Sequence, residues 1–254
     1  IYRPGIIHPW SHFSARSEKA VCEFFEKALP APNPIAPGSQ IWQVKEAFNF
    51  VGVIGLVMFI CSFGTLLVFT PVFESLRAKE IAKPDPIDKA GTAWYFGSML
   101  VCGILGCIVY LGLVNIGNSA PVAQGESLGL GLWSTACGIF TIISMILAYQ
   151  FYGKKHGMNL KEKGVFIPVR KLGLSVLLAV IVVVVSYSCV FFADYFFKTD
   201  FRLWTLAFKA FEAPILKYWP YMLLFVTYYI AASVASNCFN FNTIGKEWGN
   251  AIIN

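Results

Sequence analysis

Charged residues are missing from five long stretches of this 254-residue chain, and this constrains its fold more than any other feature. All 20 basic and 14 acidic residues lie outside the stretches, which are 47–73, 90–125, 127–153, 172–193 and 218–245. Each is at least as long as the roughly 20 apolar residues that cross a bilayer as a helix. In lipid, only a helix satisfies the backbone hydrogen bonds within one segment. The pattern predicts an all-α membrane protein with about five transmembrane helices.

Composition excludes several other classes of protein. Hydrophobic residues make up 57% of the chain, above the roughly 45–50% of soluble domains. The net charge of +6 requires no nucleic-acid partner, because the basic residues cluster in loops, where anionic lipid head groups favour them. The seven cysteines contain no C-x-x-C pair and lie mostly in the uncharged stretches. We interpret them as small helix side chains, and we expect no disulfide framework, no metal site and no cofactor.

The chain divides into three parts. Residues 1–29 belong to a soluble element, residues 30–46 form a Pro-rich linker and an interfacial lead-in, and residues 47–254 form the membrane domain. We expect the spans near 48–70, 91–114, 128–152, 172–193 and 218–238. Because the chain begins at Ile1 rather than Met, we also expect that residues preceding it belong to the same protein. Whether further spans follow Asn254 is left open.

Residues 14–29 have the pattern of a short soluble amphipathic helix. Its apolar residues recur at i, i+3, i+4, i+7 and i+8 and form one stripe of Val21, Phe24, Phe25, Ala28 and Leu29. Ser14 or Ser17 can cap its N-terminus. The stripe needs an apolar partner, which residues 1–13 are too short to supply. The partner is therefore either protein outside this chain or the membrane surface.

Small residues recur at four-residue spacing in two of the predicted spans. Ser98, Cys102 and Gly106 follow this spacing in the second span, and Ser134 and Gly138 follow it in the third. Small residues at this period let helix backbones approach closely. We favour packing between helices of one chain over oligomerisation, and the oligomeric state is left open.

A further helix is predicted between the last two spans, over residues 198–212. Phe201, Trp204, Phe208 and Phe211 fall at i, i+3, i+7 and i+10, and Asp200 is a candidate cap. Such a helix would lie in the plane of the membrane interface.

The loops predict the orientation of the chain. With five spans, the lysine-rich loops 71–89 and 154–171 share one side, whereas loop 115–127 carries no Lys or Arg. The positive-inside rule places the lysine-rich loops in the cytoplasm. We therefore expect a multi-pass protein of the cell membrane with its N-terminal segment outside the cytoplasm.

Histidine is the residue type on which a catalytic hypothesis can rest. The chain has three: His156 in a lysine-rich loop, where we expect a solvated side chain, and His8 and His12 just before the amphipathic helix. This segment resembles the C-terminal end of an α/β-hydrolase domain, in which a loop histidine is followed by a stretch with Ser and Pro and by a helix that ends in a Phe-Phe pair. The whole chain also resembles the membrane portion of bacterial membrane-bound α/β-hydrolase family proteins.

This resemblance implies a serine hydrolase that acts outside the cytoplasm on esters or amides, lipid-like molecules among them. His8 would be the general base, with His12 as the runner-up. The 254 residues contain no G-x-S-x-G nucleophile elbow. The nucleophile and the acid would therefore belong to an upstream hydrolase domain, the implied partner of the membrane domain.

The alternative is a non-catalytic multi-pass scaffold or a carrier of hydrophobic molecules, in which residues 1–29 form a surface helix. Ion and proton paths usually bury ionisable groups in the spans, and the five stretches contain none. An uncharged bundle with small residues along its helix contacts can accept an acyl chain.

Overall fold

The computed structural model describes residues 2–77, 85–122, 124–203, 206–210, 217–239 and 241–242, with the backbone alone at 9, 12, 85, 206, 241 and 242. The described residues form six α-helices. They are α1 (Ala15–Ala28), α2 (Trp42–Val68), α3 (Lys89–Ser119), α4 (Gly125–Phe151), α5 (Val169–Phe197) and α6 (Trp219–Cys238). The described residues also form three 3₁₀ helices, His8–Phe13, Glu74–Leu76 and Gly153–His156, and four strands of two or three residues: β1 (Asp85–Pro86), β2 (Phe201–Leu203), β3 (Leu206–Phe208) and β4 (Phe241–Asn242).

Helices α2 to α6 are long and apolar enough to cross a membrane. Their most apolar windows have a mean hydropathy between 1.3 for α6 and 2.8 for α5, and few residues of these windows are buried inside the protein. Large apolar side chains such as Ile108, Val183 and Met222 are more than 60% exposed, as suits contact with lipid. The prediction of an all-α, multi-pass membrane protein with five spans after a short amphipathic helix is confirmed.

The chain folds as two compact units. One comprises the residues up to Arg77 together with Leu174–Ala210, and the other comprises residues 78–173 and those after 210. The first unit contains α1, α2, most of α5 and the β2–β3 pair. The second contains α3, α4 and α6, with β1 and β4 paired in parallel.

In the first unit, α1 has the predicted position and the predicted cap. The Ser14 hydroxyl accepts a hydrogen bond from the Ser17 backbone N–H, 3.3 Å away, which satisfies one of the free donors of the first turn. The apolar stripe is largely uncovered: Val21, Phe24, Phe25 and Leu29 are 50–72% exposed. Among the described residues, the stripe therefore has no apolar partner of the kind that its sequence pattern requires.

The linker after α1 turns back on itself before α2. The Gln40 side-chain amide donates to the Ala15 carbonyl at 3.0 Å and to the Pro37 carbonyl at 2.9 Å. The Trp42 indole N–H donates to Gln40 Oε1, and α2 begins at Trp42. The interfacial lead-in predicted up to residue 46 thus forms the first turns of the spanning helix.

The helix predicted over residues 198–212 is wrong. β2 and β3 pair antiparallel there as a hairpin, with Phe201 opposite Phe208. Residues 204 and 211, two of the four aromatic residues behind the prediction, lie outside the described residues. Aromatic residues in a short run fit a strand as well as a helix. Tertiary contact favours the strand, because the Phe201 ring packs over Gly52 of α2, where a Cβ would come within 2.9 Å of it.

Candidate functional site

Glycines bring the three helices of the second unit together. A Cβ at Gly129 of α4 would lie 2.8 Å from Val114 Cα of α3, and one at Gly138 would lie 2.7 Å from the Tyr228 backbone nitrogen of α6. Gly106 packs against the Cys137 thiol, and its carbonyl accepts a hydrogen bond from the Trp133 indole at 2.9 Å. The expectation that Gly106 and Gly138 serve packing within one chain is confirmed.

Beside these contacts the helices leave a cavity of about 830 Å³. Its walls come from α3, α4 and α6 and from the turn that follows α4. The α3 residues that line it are Gly91, Trp94, Tyr95, Ser98, Met99, Cys102 and Gly103. The α4 residues are Leu130, Trp133, Ser134, Cys137, Thr141, Ser144, Met145 and Ala148. Ser98 and Cys102, predicted as packing residues, therefore serve here as small side chains that leave space.

Three of the five serine and threonine side chains that line the cavity are bonded back to their own helices. The hydroxyl of Ser98 donates to the Tyr95 carbonyl at 2.8 Å, that of Thr141 to the Cys137 carbonyl at 2.9 Å, and that of Ser236 to the Ala232 carbonyl at 2.9 Å. A hydroxyl that is bonded in this way has less need of water or of a polar ligand. The wall therefore suits an apolar occupant.

A second cavity of about 820 Å³ lies along the same helix pair, and its lining residues in the described part of the chain belong to α3 and α4. Trp94, Ser98, Cys102 and Ser144 line both cavities. The partition between the two spaces consists of these four side chains, three of which are small.

Asp88, Tyr152 and His156 form a polar cluster at one end of the first cavity. Asp88 caps α3: its Oδ1 accepts hydrogen bonds from the Gly91 backbone N–H at 2.7 Å and from the Tyr152 hydroxyl at 2.9 Å. The rings of Tyr152 and His156 stack with their centroids 4.0 Å apart, and His156 Nε2 lies 3.6 Å from Asp88 Oδ2. Of the cluster, Tyr152 lines the cavity, as do Ile87 and Gly91 on either side of Asp88, so the cluster lies beside this end of the cavity.

Hydrogen bonding keeps the Asp88 carboxylate charged. The Gly91 N–H, followed by the Tyr152 hydroxyl and the nearby His156, lowers the pKa of Asp88 below its ordinary value. Partial burial, together with the hydrogen bond to this carboxylate, raises the pKa of Tyr152. Near neutral pH the cluster therefore presents a carboxylate beside a neutral phenol.

The sequence predicted different residues, His8 and His12, as the functional ones. His8 begins a 3₁₀ helix, His8–Phe13, with its side chain exposed and its carbonyl accepting a hydrogen bond from the Ser11 hydroxyl at 2.6 Å. The His12 side chain lies outside the described part of the chain. His156 is half exposed, as expected of a solvated residue, but it also stacks on Tyr152. The pairing of Asp88 with Tyr152 was missed, because the residues are 64 positions apart.

No protein-family model, curated protein or solved structure matches this chain.

Proposed function

We propose that this chain is a membrane protein that binds a hydrophobic molecule, an acyl chain or its like, in the cavity between α3, α4 and α6. One observation carries the proposal: an 830 Å³ space with a largely apolar wall inside a bundle of spanning helices. Ligand pockets of about 300–1,000 Å³ with apolar walls and a few polar groups hold small molecules.

The dimensions of the cavity suit an acyl chain. Its lining residues run from Gly91 to Gly103 on α3 and from Leu130 to Ala148 on α4. At 1.5 Å per residue these stretches are roughly 18 and 27 Å long. One leaflet contributes about half of the roughly 30 Å hydrocarbon thickness of a bilayer. The space is therefore long enough for the chain of a lipid in one leaflet.

Trp94 and Trp133 line the cavity and provide an optical readout of binding. A polyene fatty acid that accepts energy from tryptophan should give saturable energy transfer in the purified chain. Ser144→Phe places a ring in the partition of the two cavities and should lower the affinity at least tenfold. Ile146→Phe, on an exposed position of the same helix, should bind as the unchanged protein does. If the two variants bind the fatty acid with equal affinity, the cavity is not the binding site.

A second candidate function is the hydrolase implied by the sequence resemblance. The exposed apolar stripe of α1 supports it, since the last helix of an α/β-hydrolase domain packs on that domain's sheet. In this proposal α1 contacts an extracytoplasmic hydrolase domain, and His8, or else His12, is the general base of a serine nucleophile outside the 254 residues. The substrates would be esters or amides, including lipid-like ones.

A fluorophosphonate probe tests the second candidate in the full-length protein. Removing a member of a catalytic triad costs at least about 10³-fold in rate. His8→Ala should therefore abolish labelling, whereas His156→Ala should leave it unchanged. If the His12→Ala protein alone fails to label, His12 is the base. A full-length protein that never labels, or that labels without both His8 and His12, contradicts the hydrolase proposal and leaves the binding proposal intact.

A further inference from the structure

The wall of the first cavity is rich in aromatic rings and sulfur atoms. Among the 26 described residues that line it, eight are aromatic, such as Trp94 and Trp133, and five contain sulfur, such as Met145. Of these 26, Ile87 and Leu130 are the two with branched aliphatic side chains. In the second cavity, by contrast, four of the twelve described lining residues are Val, Leu or Ile. The two cavities therefore differ in chemistry although they are similar in size.

A wall of rings and sulfur atoms favours a flat, polarisable ligand. Aromatic rings attract one another in offset-stacked or edge-to-face arrangements by more than the area that they bury. The sulfur atoms of Met and Cys also make favourable contacts with an aromatic ring. A saturated hydrocarbon chain gains neither contribution. The wall therefore favours a ligand that carries a conjugated ring.

Two of the lining rings are held in place by aromatic residues that are not part of the cavity wall. Trp94 stacks on Phe151 with the ring centroids 5.9 Å apart and the planes 6° apart. Trp133 packs edge to face against Tyr110 at 5.2 Å, and its indole N–H donates to the Gly106 carbonyl. Because contacts between α3 and α4 already fix both indoles, a ligand that stacks on them loses little binding free energy in ordering them.

One buried hydroxyl in the wall has an unused donor. Ser134 of α4 is 7% exposed, and its hydroxyl makes no hydrogen bond to any described residue, unlike that of Ser98. Burying a hydroxyl without a partner is costly. Water is a poor partner here, because it needs about two to four polar neighbours to remain in a cavity. An oxygen atom of the ligand would supply the missing acceptor.

We infer that the ligand of this cavity is a lipid with a planar conjugated ring and a carbonyl oxygen, as in a prenylated quinone, and that Ser134 donates a hydrogen bond to that oxygen. A quinone oxygen can only accept, so it requires a hydroxyl whose proton is free. The hydrocarbon tail occupies the length of the cavity as an acyl chain would. The inference rests on the proposed binding function and names the class of molecule that is bound.

A matched pair of ligands tests the ring. Tritium-labelled menaquinone with a geranylgeranyl tail is bound to the purified, immobilised protein in detergent. Unlabelled geranylgeraniol, which has the same tail and a hydroxyl but no ring, competes for the site. We expect geranylgeraniol to bind about tenfold more weakly than menaquinone, which is the size of one or two contacts between rings or between a ring and sulfur.

Two serine variants test the hydrogen bond. Ser134→Ala should weaken the binding of menaquinone about three- to tenfold. Ser98→Ala makes the same change in the same wall and should leave the affinity unchanged, because the Ser98 hydroxyl already donates to the Tyr95 carbonyl. Without ligand, Ser134→Ala should raise the melting temperature more than Ser98→Ala does, because it removes an unpaired buried donor. Added menaquinone should narrow that difference.

The outcomes separate this inference from the function on which it rests. If Ser144→Phe binds menaquinone as well as the unchanged protein does, the cavity is not the binding site and both proposals fail. If geranylgeraniol binds through the cavity as tightly as menaquinone does, the binding function stands and the preference for a ring is overturned. Equal affinities of Ser134→Ala and Ser98→Ala for menaquinone overturn the hydrogen bond from Ser134.

Discussion

Gly91 holds the polar cluster together because it has no side chain. It lies in the first turn of α3, buried against Ile87 and the Tyr152 ring, and its N–H donates to Asp88. A methyl group here would overlap both neighbours. The hydroxyl of Tyr152 reaches Asp88 only because its ring can lie this close to the α3 backbone. The missing side chain thus lets the Tyr152 ring, which lines the cavity, lie beside the Asp88 carboxylate.

The first prediction concerns this contact. Gly91→Ala should displace the Tyr152 ring and destabilise the purified protein by about 1–3 kcal/mol, the usual cost of overpacking. Gly97→Ala is the matched control on the same helix, because nothing lies within 4 Å of a Cβ there. That change should be neutral or should stabilise α3 by up to about 1 kcal/mol through helix propensity. Thermal unfolding in detergent measures both, and equal melting temperatures would contradict the packing described.

At the scale of helices and strands, the sequence predicts the elements that a local residue pattern determines. It does not predict the elements that depend on contacts between residues far apart in the chain. Length and hydropathy alone locate α2 to α6, and the apolar spacing locates α1. The β2–β3 hairpin was mistaken for a helix, because the aromatic residues in this stretch follow the helical spacing i, i+3, i+7 and i+10, whereas the strand depends on a contact with Gly52, about 150 residues away. Asp88 and Tyr152 meet only after glycines have set the register of α3 on α4. No local sequence pattern specifies that register.

The second prediction concerns the contact between α4 and α6. The Thr135 hydroxyl donates to the Leu224 carbonyl of α6 at 2.6 Å and to the Gly131 carbonyl of its own helix at 3.0 Å. Thr135→Val keeps the shape and removes the interhelical bond, which should cost about 0.6 kcal/mol and at most about 1.7. Thr141→Val is the control, because its hydroxyl bonds within α4. Denaturant titration that finds the two variants equally stable would show that the interhelical bond contributes nothing.

At the scale of the whole molecule, most large apolar side chains of the spanning helices face outward. Among the described residues the buried apolar set is small: Val53, Leu56, Phe73, Val190, Ala231 and Cys238. A water-soluble protein of this length could not leave so much apolar surface uncovered. Lipid therefore covers surface that a soluble protein would bury in a core. For the same reason an apolar cavity between these helices can be filled by lipid.

The last prediction concerns the orientation of this surface in the cell membrane. We propose that the lysine-rich loops are cytoplasmic and the N-terminal segment is outside, by the positive-inside rule. Gln124 precedes α4, and Lys161 lies beyond its other end; both side chains are exposed. Gln124→Cys should react with a membrane-impermeant maleimide on intact cells, in a background without the seven native cysteines. Lys161→Cys should react only after the cells are lysed.

The same experiment places the polar cluster. Asp88, Tyr152 and His156 lie at the Lys161 end of α4, so the predicted labelling puts this cluster, and the end of the cavity that Tyr152 lines, on the cytoplasmic side. The opposite labelling pattern would put the cluster on the outer side and the N-terminal segment in the cytoplasm. An extracytoplasmic hydrolase domain joined to α1 would then be excluded. The cavity would be unaffected, because it depends on contacts within the second unit alone.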